Sequence, residues 1–211
     1  MKTLGRTRAK TQMLRNARRF VEDEFGTGTA SSKVTYNLKS FRGPVKKAFV
    51  NAGEKVPILL GFVLRKCGGA HVSLDAKQRK HLIYLAKKDP ISAVHELSHV
   101  AYQKIRALRG MKNWDLADET IASSLCFEWA LKNNEERYEK AIKRTPSFFV
   151  RIIKRIFRSL VTNTIDGLAL ARRMQRELTE DERIAIRKEL LTKEFDSNES
   201  AQRWILSKLA K

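Results

Sequence analysis

The sequence predicts an α+β fold, a small mixed sheet with its flanking helices followed by a purely helical C-terminal part. Three observations carry this. β-prone runs punctuated by glycine are confined to the stretch between Val34 and Ala86. Apolar residues recur at helical spacing before and after it. Beyond about residue 133 only helical patterns remain. The predicted organisation is therefore residues 1–132 as a mixed region that includes a basic N-terminal helix. Residues 133–211 form a helical extension packed on it to make one compact unit. A chain of 211 residues with 42% hydrophobic content can bury a real core.

Residues 5–25 read as an amphipathic helix, with Met13, Ala17, Phe20, Val21 and Phe25 on one face. Gly26 to Ser32 is a Gly/Thr/Ser loop, and Val34 to Leu38 a short strand. Pro44 to Asn51 forms a short helix ending at Gly53. Ile58 to Lys66 and Ala70 to Leu74 read as a hairpin about the Gly68-Gly69 turn. His81 to Ala86 completes the sheet. Asp89-Pro90 opens a helix, with Asp as cap and Pro in its first position, that runs to Leu108 and stops at Gly110. Ile91, Val94, Leu97 and Ala101 face the core. Another helix spans about Trp114 to Leu131. Helices from Pro146 to Val161 and from Ile165 to Leu178 come next. Thr179-x-x-Glu182 is a capping box that opens a helix to about Phe195. Ser197 caps a last helix with Trp204, Ile205 and Leu209 as its apolar face.

The charge is one-sided. Lys and Arg total 43 against 23 Asp and Glu, a net +20, and residues 1–95 carry 20 basic against 6 acidic side chains. Such a field attracts polyanions, so nucleic acid is one candidate partner. Two cysteines, Cys67 and Cys126, make no disulfide framework or C-x-x-C metal pattern. A reducing, cytoplasmic setting fits, or a virion if the chain comes from a phage. No secretory h-region and no apolar stretch long enough for a spanning helix occurs. The segment Ser147 to Val161 carries an apolar stripe (Phe149, Ile152, Ile153, Ile156, Leu160) and a basic one (Arg151, Lys154, Arg155, Arg158). The apolar stripe reads as the face of a core helix with its solvated side outward, and the basic stripe fits that role or a membrane-surface or phosphate-contacting one.

The chemistry-bearing feature is His95-Glu96-Leu97-Ser98-His99. Residues i and i+4 share a helix face, so both imidazoles can reach one metal ion while Glu96 stands beside it. Two neutral imidazoles, a third protein ligand and an open position for water make a hydrolytic zinc site, and the adjacent carboxylate accepts the water's proton. The third ligand must be sought downstream among carboxylates, because the other histidines, His71 and His81, both precede the motif. Tyr102 and Ile105 stand where a metzincin needs Gly and His. The candidates are Asp115, Asp118, Glu119 and Glu128. Glu119 fits best: twenty residues after His99, it allows one helix to finish and the next to return, on a face continued by small Ala122, Ser123 and Cys126. Asp118 is the rival ligand. Asp115, one turn before Glu119, is placed to orient a ligand by hydrogen bonding. Glu128 lies too far along.

His95-Glu-Leu-Ser-His99 followed by Glu119-Thr-Ile-Ala122-Ser-Ser-Leu125-Cys126 resembles the gluzincin metallopeptidases. It is most similar to the small ImmA/IrrE-type peptidases of bacteria and their phages, over about residues 56–131. The resemblance implies a minimal zincin core with additional C-terminal helices. It also implies zinc on His95, His99 and Glu119, and Glu96 as general base. Thermolysin-like gluzincins place an Asp four residues after the ligand glutamate. That position is Ser123 here, a hydroxyl able to support the ligand but a departure from thermolysin. The class lays substrate along an edge strand, for which Ala70 to Leu74 is the candidate, and uses an oxyanion donor, for which Tyr84, Tyr102 and Tyr138 are open choices. The expected function is thus a zinc metallopeptidase acting on a peptide or protein. The competing one is a basic, non-enzymatic nucleic-acid- or virion-associated protein with a structural or relic zinc site. A peptidase of DNA-bound proteins ranks below both, since SprT-like enzymes use a third histidine.

Overall fold

The computed structural model describes residues 2–26, 28–29, 32–51, 69–74, 80–86, 89–143 and 158–210. Among them the chain is mixed α+β and mostly helical, with eight helices and one three-stranded mixed sheet. It divides into two compact units, Met1–Ala107 and Leu108–Lys211.

The first unit holds α1 (Lys2–Phe25), β1 (Ser32–Thr35), α2 (Leu38–Asn51), β2 (Gly69–Ser73), β3 (His81–Leu85) and α3 (Pro90–Leu108). The strand order is β1-β3-β2, with β1 parallel and β2 antiparallel to β3. Pairing of Ala70 with Tyr84 and of His71 with Ile83 sorts the side chains by strand periodicity. Ala70, Val72, Leu82, Tyr84 and Ala86 pack with Phe41 and Val45 of α2 on one face. Gly69, His71 and Ser73 stand on the opposite face. The expected Ala70–Leu74 strand is present one residue earlier. Its hairpin partner, Ile58 to Lys66, lies outside the described residues.

Two starts differ from the sequence reading. β1 begins at Ser32 rather than Val34, because Ser32 Oγ donates to Thr29 O at 2.7 Å and Arg18 donates to Ser32 O at 2.7 Å. α2 begins at Leu38, six residues before Pro44, which lies inside the helix. Asn37 explains this: its Oδ1 accepts from Lys39 N and its carbonyl from Phe41 N, a cap stronger than the preference of proline for a first turn. α3 begins as read. Asp89 Oδ2 accepts from Ser92 N and Oγ, and Gly110 sits beyond the helix end at φ 68°. Val94, Leu97 and Ala101 are fully buried, whereas Ile91 is half-buried.

The second unit holds α4 (Asp115–Asn133), α5 (Glu135–Lys143), α6 (Arg158–Glu177), α7 (Glu180–Thr192) and α8 (Asn198–Leu209). α4 packs with α5, α6, α7 and α8, so packing divides the chain at 107/108, whereas the change of hydrophobic pattern falls near 133. The capping box of Thr179 and Glu182 is formed, and Ser197 caps α8 through Ser200. α7 stops at Thr192, short of Phe195, with Lys193 extended at ψ 133°. α6 runs unbroken through Thr162-Asn163-Thr164, where the sequence suggests two helices. The tie is tertiary, because Thr164 Oγ1 donates to Glu119 Oε1 on α4 at 2.9 Å. α5 escapes the apolar-periodicity reading because it buries nothing; i,i+4 ion pairs, Glu136–Lys140 and Glu139–Lys143, line it instead. Most of the Ser147–Val161 segment lies outside the described residues. No helix among them is long and apolar enough to cross a membrane.

Candidate metal centre

Helical spacing alone brings His95 and His99 together on α3. Their Nε2 atoms are 3.1 Å apart and the rings meet edge to face at 90°. Two nitrogens each about 2.0–2.1 Å from one tetrahedral zinc would stand about 3.3–3.4 Å apart. The observed pair is close to that spacing, so the donor set fits a shared divalent ion. His99 is buried and His95 half-buried.

Glu96 is 5% exposed and turns to the sheet. Its Oε2 lies 3.3 Å from His71 Nδ1 on β2. Gly69, two residues earlier on the same strand face, makes room for it: a Cβ there would stand 2.8 Å from both Cγ and Oε1 of Glu96. The ring of His71 also stacks on that of His99, centroids 4.8 Å apart and planes 19° off parallel, and His71 Nε2 meets Gln103 Nε2 at 2.9 Å.

His71, Glu96 and His99 therefore offer a second set of ligand atoms within 4.8 Å of one another. Ring geometry separates the two sets. An imidazole lone pair lies in the ring plane, and two stacked, near-parallel rings cannot aim theirs at one point. The edge-to-face pair His95 and His99 can. His71 is thus better suited to a hydrogen-bonding role than to sharing an ion with His99.

The candidates on α4 belong to the second unit. Asp115 is exposed, Asp118 and Ser123 are buried, and Glu119 is half-buried with Oε1 accepting from Thr164. Gly167 of α6 crosses close beside it: a Cβ there would stand 2.7 Å from Glu119 Cβ and 3.0 Å from Thr120 N. Glu128, discounted as a ligand on distance along the helix, is occupied otherwise. Its Oε1 accepts from Arg183 Nε and from Gln175 Nε2, with Arg187 Nη1 3.6 Å away. Burial opposes its charge, yet the hydrogen bonds from Arg183 and Gln175 and the two guanidinium charges hold its carboxyl below the usual range.

Of the tyrosines considered as oxyanion donors, Tyr84 faces α2 and stacks on Phe41 at 5.6 Å, across the sheet from Glu96. Tyr102 is fully buried beneath Arg106, and Tyr138 lies on α5. In the basic N-terminal run Arg18 tethers α1 to β1, while Arg15 and Arg19 are exposed.

His71, Gly69 and Gln103 are missed by a search confined to ligands downstream of the motif. Their signal is a glycine that closes the predicted turn and a histidine two residues on, in the predicted strand ahead of the motif helix. No protein family, curated protein or solved structure matches this chain.

Proposed function

We propose that the chain is a zinc-dependent peptidase in which His95, His99 and Glu119 hold the metal and Glu96 is the general base. The observation that carries this is the convergence of His95 and His99 at 3.1 Å with the Glu96 carboxylate beside them on the same helix. Glu119 rests on its spacing from the motif, on the gluzincin resemblance and on the hydrogen bond from Thr164 that orients its carboxylate. Zinc bound there supplies a Lewis acid and water acidified toward neutral pH. Glu96 takes the attacking water's proton and returns it to the leaving amine. His71 engages Oε2, so Oε1, beside the space that Gly69 leaves, is the oxygen suited to this transfer. β2 is one of the two outer strands among those described, and an extended peptide would pair with its main chain. This is the ground for choosing peptide as the substrate class.

Glu96→Gln tests the reading. Zinc content should stay as in the wild type while hydrolysis of unstructured peptides falls about 10²–10⁴-fold. A wild-type protein that binds no zinc would defeat the proposal. Loss of zinc from Glu96→Gln would instead favour the second reading, a closed structural site in a polyanion-binding protein. The grouping of His71, Glu96 and His99 and the net charge of +20 are what support that alternative.

A further inference from the structure

We infer that His71 is a positioning residue for Glu96, the middle of a hydrogen-bond chain that runs Gln103 to His71 to Glu96. The inference rests on the peptidase reading of Glu96. An amide nitrogen can only donate, so the Gln103 Nε2 atom, 2.9 Å from His71 Nε2, makes that ring nitrogen the acceptor. A neutral imidazole with Nε2 accepting carries its proton on Nδ1, and that proton points at Glu96 Oε2, 3.3 Å away. Gln103 thus selects the tautomer that donates to the carboxylate.

The strand supplies the rest of the seat. Gly69 and His71 share one face of β2, so one residue gives space to the Glu96 side chain and the next but one grips it. Stacking of His71 on His99 fixes the ring's plane and closes a loop of contacts from α3 to β2 and back. An unguided glutamate rotates about three torsions. Here one oxygen is held, and the other is left for proton transfer.

His71→Ala, His71→Asn and Gln103→Ala, each in the full chain, test this with three readouts. Zinc content and the visible spectrum of the cobalt-substituted protein should match the wild type in all three, because His71 is not a ligand. Against a library of unstructured fluorogenic peptides, His71→Ala should lower kcat about 10–100-fold with KM little changed. His71→Asn should restore most of that loss, since its amide nitrogen stands where Nδ1 stood; Gln103→Ala should lower kcat by less than His71→Ala. A changed cobalt spectrum or lost zinc in His71→Ala or His71→Asn makes His71 a ligand and overturns the inference. So does an unaltered kcat in His71→Ala, or an Asn variant no better than Ala.

Should His71→Ala not fold, His71→Asn and Gln103→Ala carry the test through a near-wild-type kcat in the first and a lowered one in the second. If the wild type binds zinc and cleaves no peptide, the peptidase reading fails on its own. The thermal shifts of His71→Phe, which keeps a ring and removes the donor, of Glu96→Ala and of the double variant then decide the His71–Glu96 link. Additive shifts sink it, and non-additive ones sustain it.

Discussion

Among the described residues each unit buries one glutamate, and their surroundings differ in kind. Glu96 is 5% exposed and Glu128 2% exposed. Glu128 is gripped by Arg183, Arg187 and Gln175, which offset its charge and all meet its Oε1. Glu96 is given an imidazole, a glycine's empty space and the two converging histidines of its own helix. The first arrangement holds a carboxylate in one state; the second leaves an oxygen in position to exchange a proton. Burial of a carboxylate therefore says little about chemistry until its partners are named.

The contrast is broken most forcefully at Arg183. Arg183→Ala leaves Glu128 buried opposite a vacancy and should cost about 3–5 kcal/mol of stability, measured by denaturant unfolding. Acid attacks the same point more gradually. The lowered folded pKa of Glu128 means its contribution is complete above the ordinary glutamate value of 4.5 and is lost as pH falls through the folded value. Glu128→Gln should remove that component from the pH–stability curve between neutrality and acid. A wild-type curve unchanged below pH 4.5 would contradict the account.

Two glycines sharpen the contrast at a smaller scale. Gly167→Ala drives a methyl onto Glu119 Cβ and the Thr120 backbone, which cannot yield cheaply, and should destabilise by about 1–3 kcal/mol in calorimetry or chemical unfolding. In Gly69→Ala the methyl meets Cγ, Cδ and Oε1 of the Glu96 side chain and no backbone among its nearest atoms. That side chain can swing aside, so kcat should fall while the melting temperature changes little. Equal loss of stability in both variants would remove the distinction. The smallest effect is local: Thr179→Ala deletes the bond that Thr179 Oγ1 accepts from Glu182 N, one half of a capping box, and should cost about 1 kcal/mol without touching zinc binding.

How far the sequence reaches depends on the range of the interaction. Caps at Asp89, Thr179 and Ser197 are legible because a side chain meets a backbone amide three residues on. The Pro44 start is misread because Asn37, a better cap, lies six residues before the expected boundary. α5 has no apolar face to reveal it, and the continuity of α6 depends on Thr164 reaching α4. In the candidate site, His95 and His99 are legible together, whereas His71, 25 residues before Glu96, enters only through the pairing of β2 with β3 and the packing of that sheet on α3.

By itself, then, the sequence determined the features that arise within one helix or one turn. It set the convergence of two imidazoles four residues apart with a carboxylate between them, the capped helix starts at Asp89, Thr179 and Ser197, the class of mixed sheet followed by helices, and a net charge of +20. Tertiary structure alone decided that Gly69 and His71 seat Glu96 and that Arg183 and Arg187 neutralise Glu128. The physical reason is register. A helix repeats by its own hydrogen bonds, but which face of a strand or neighbouring helix meets a given side chain is settled only when distant segments pack, and a one-residue shift would reverse it.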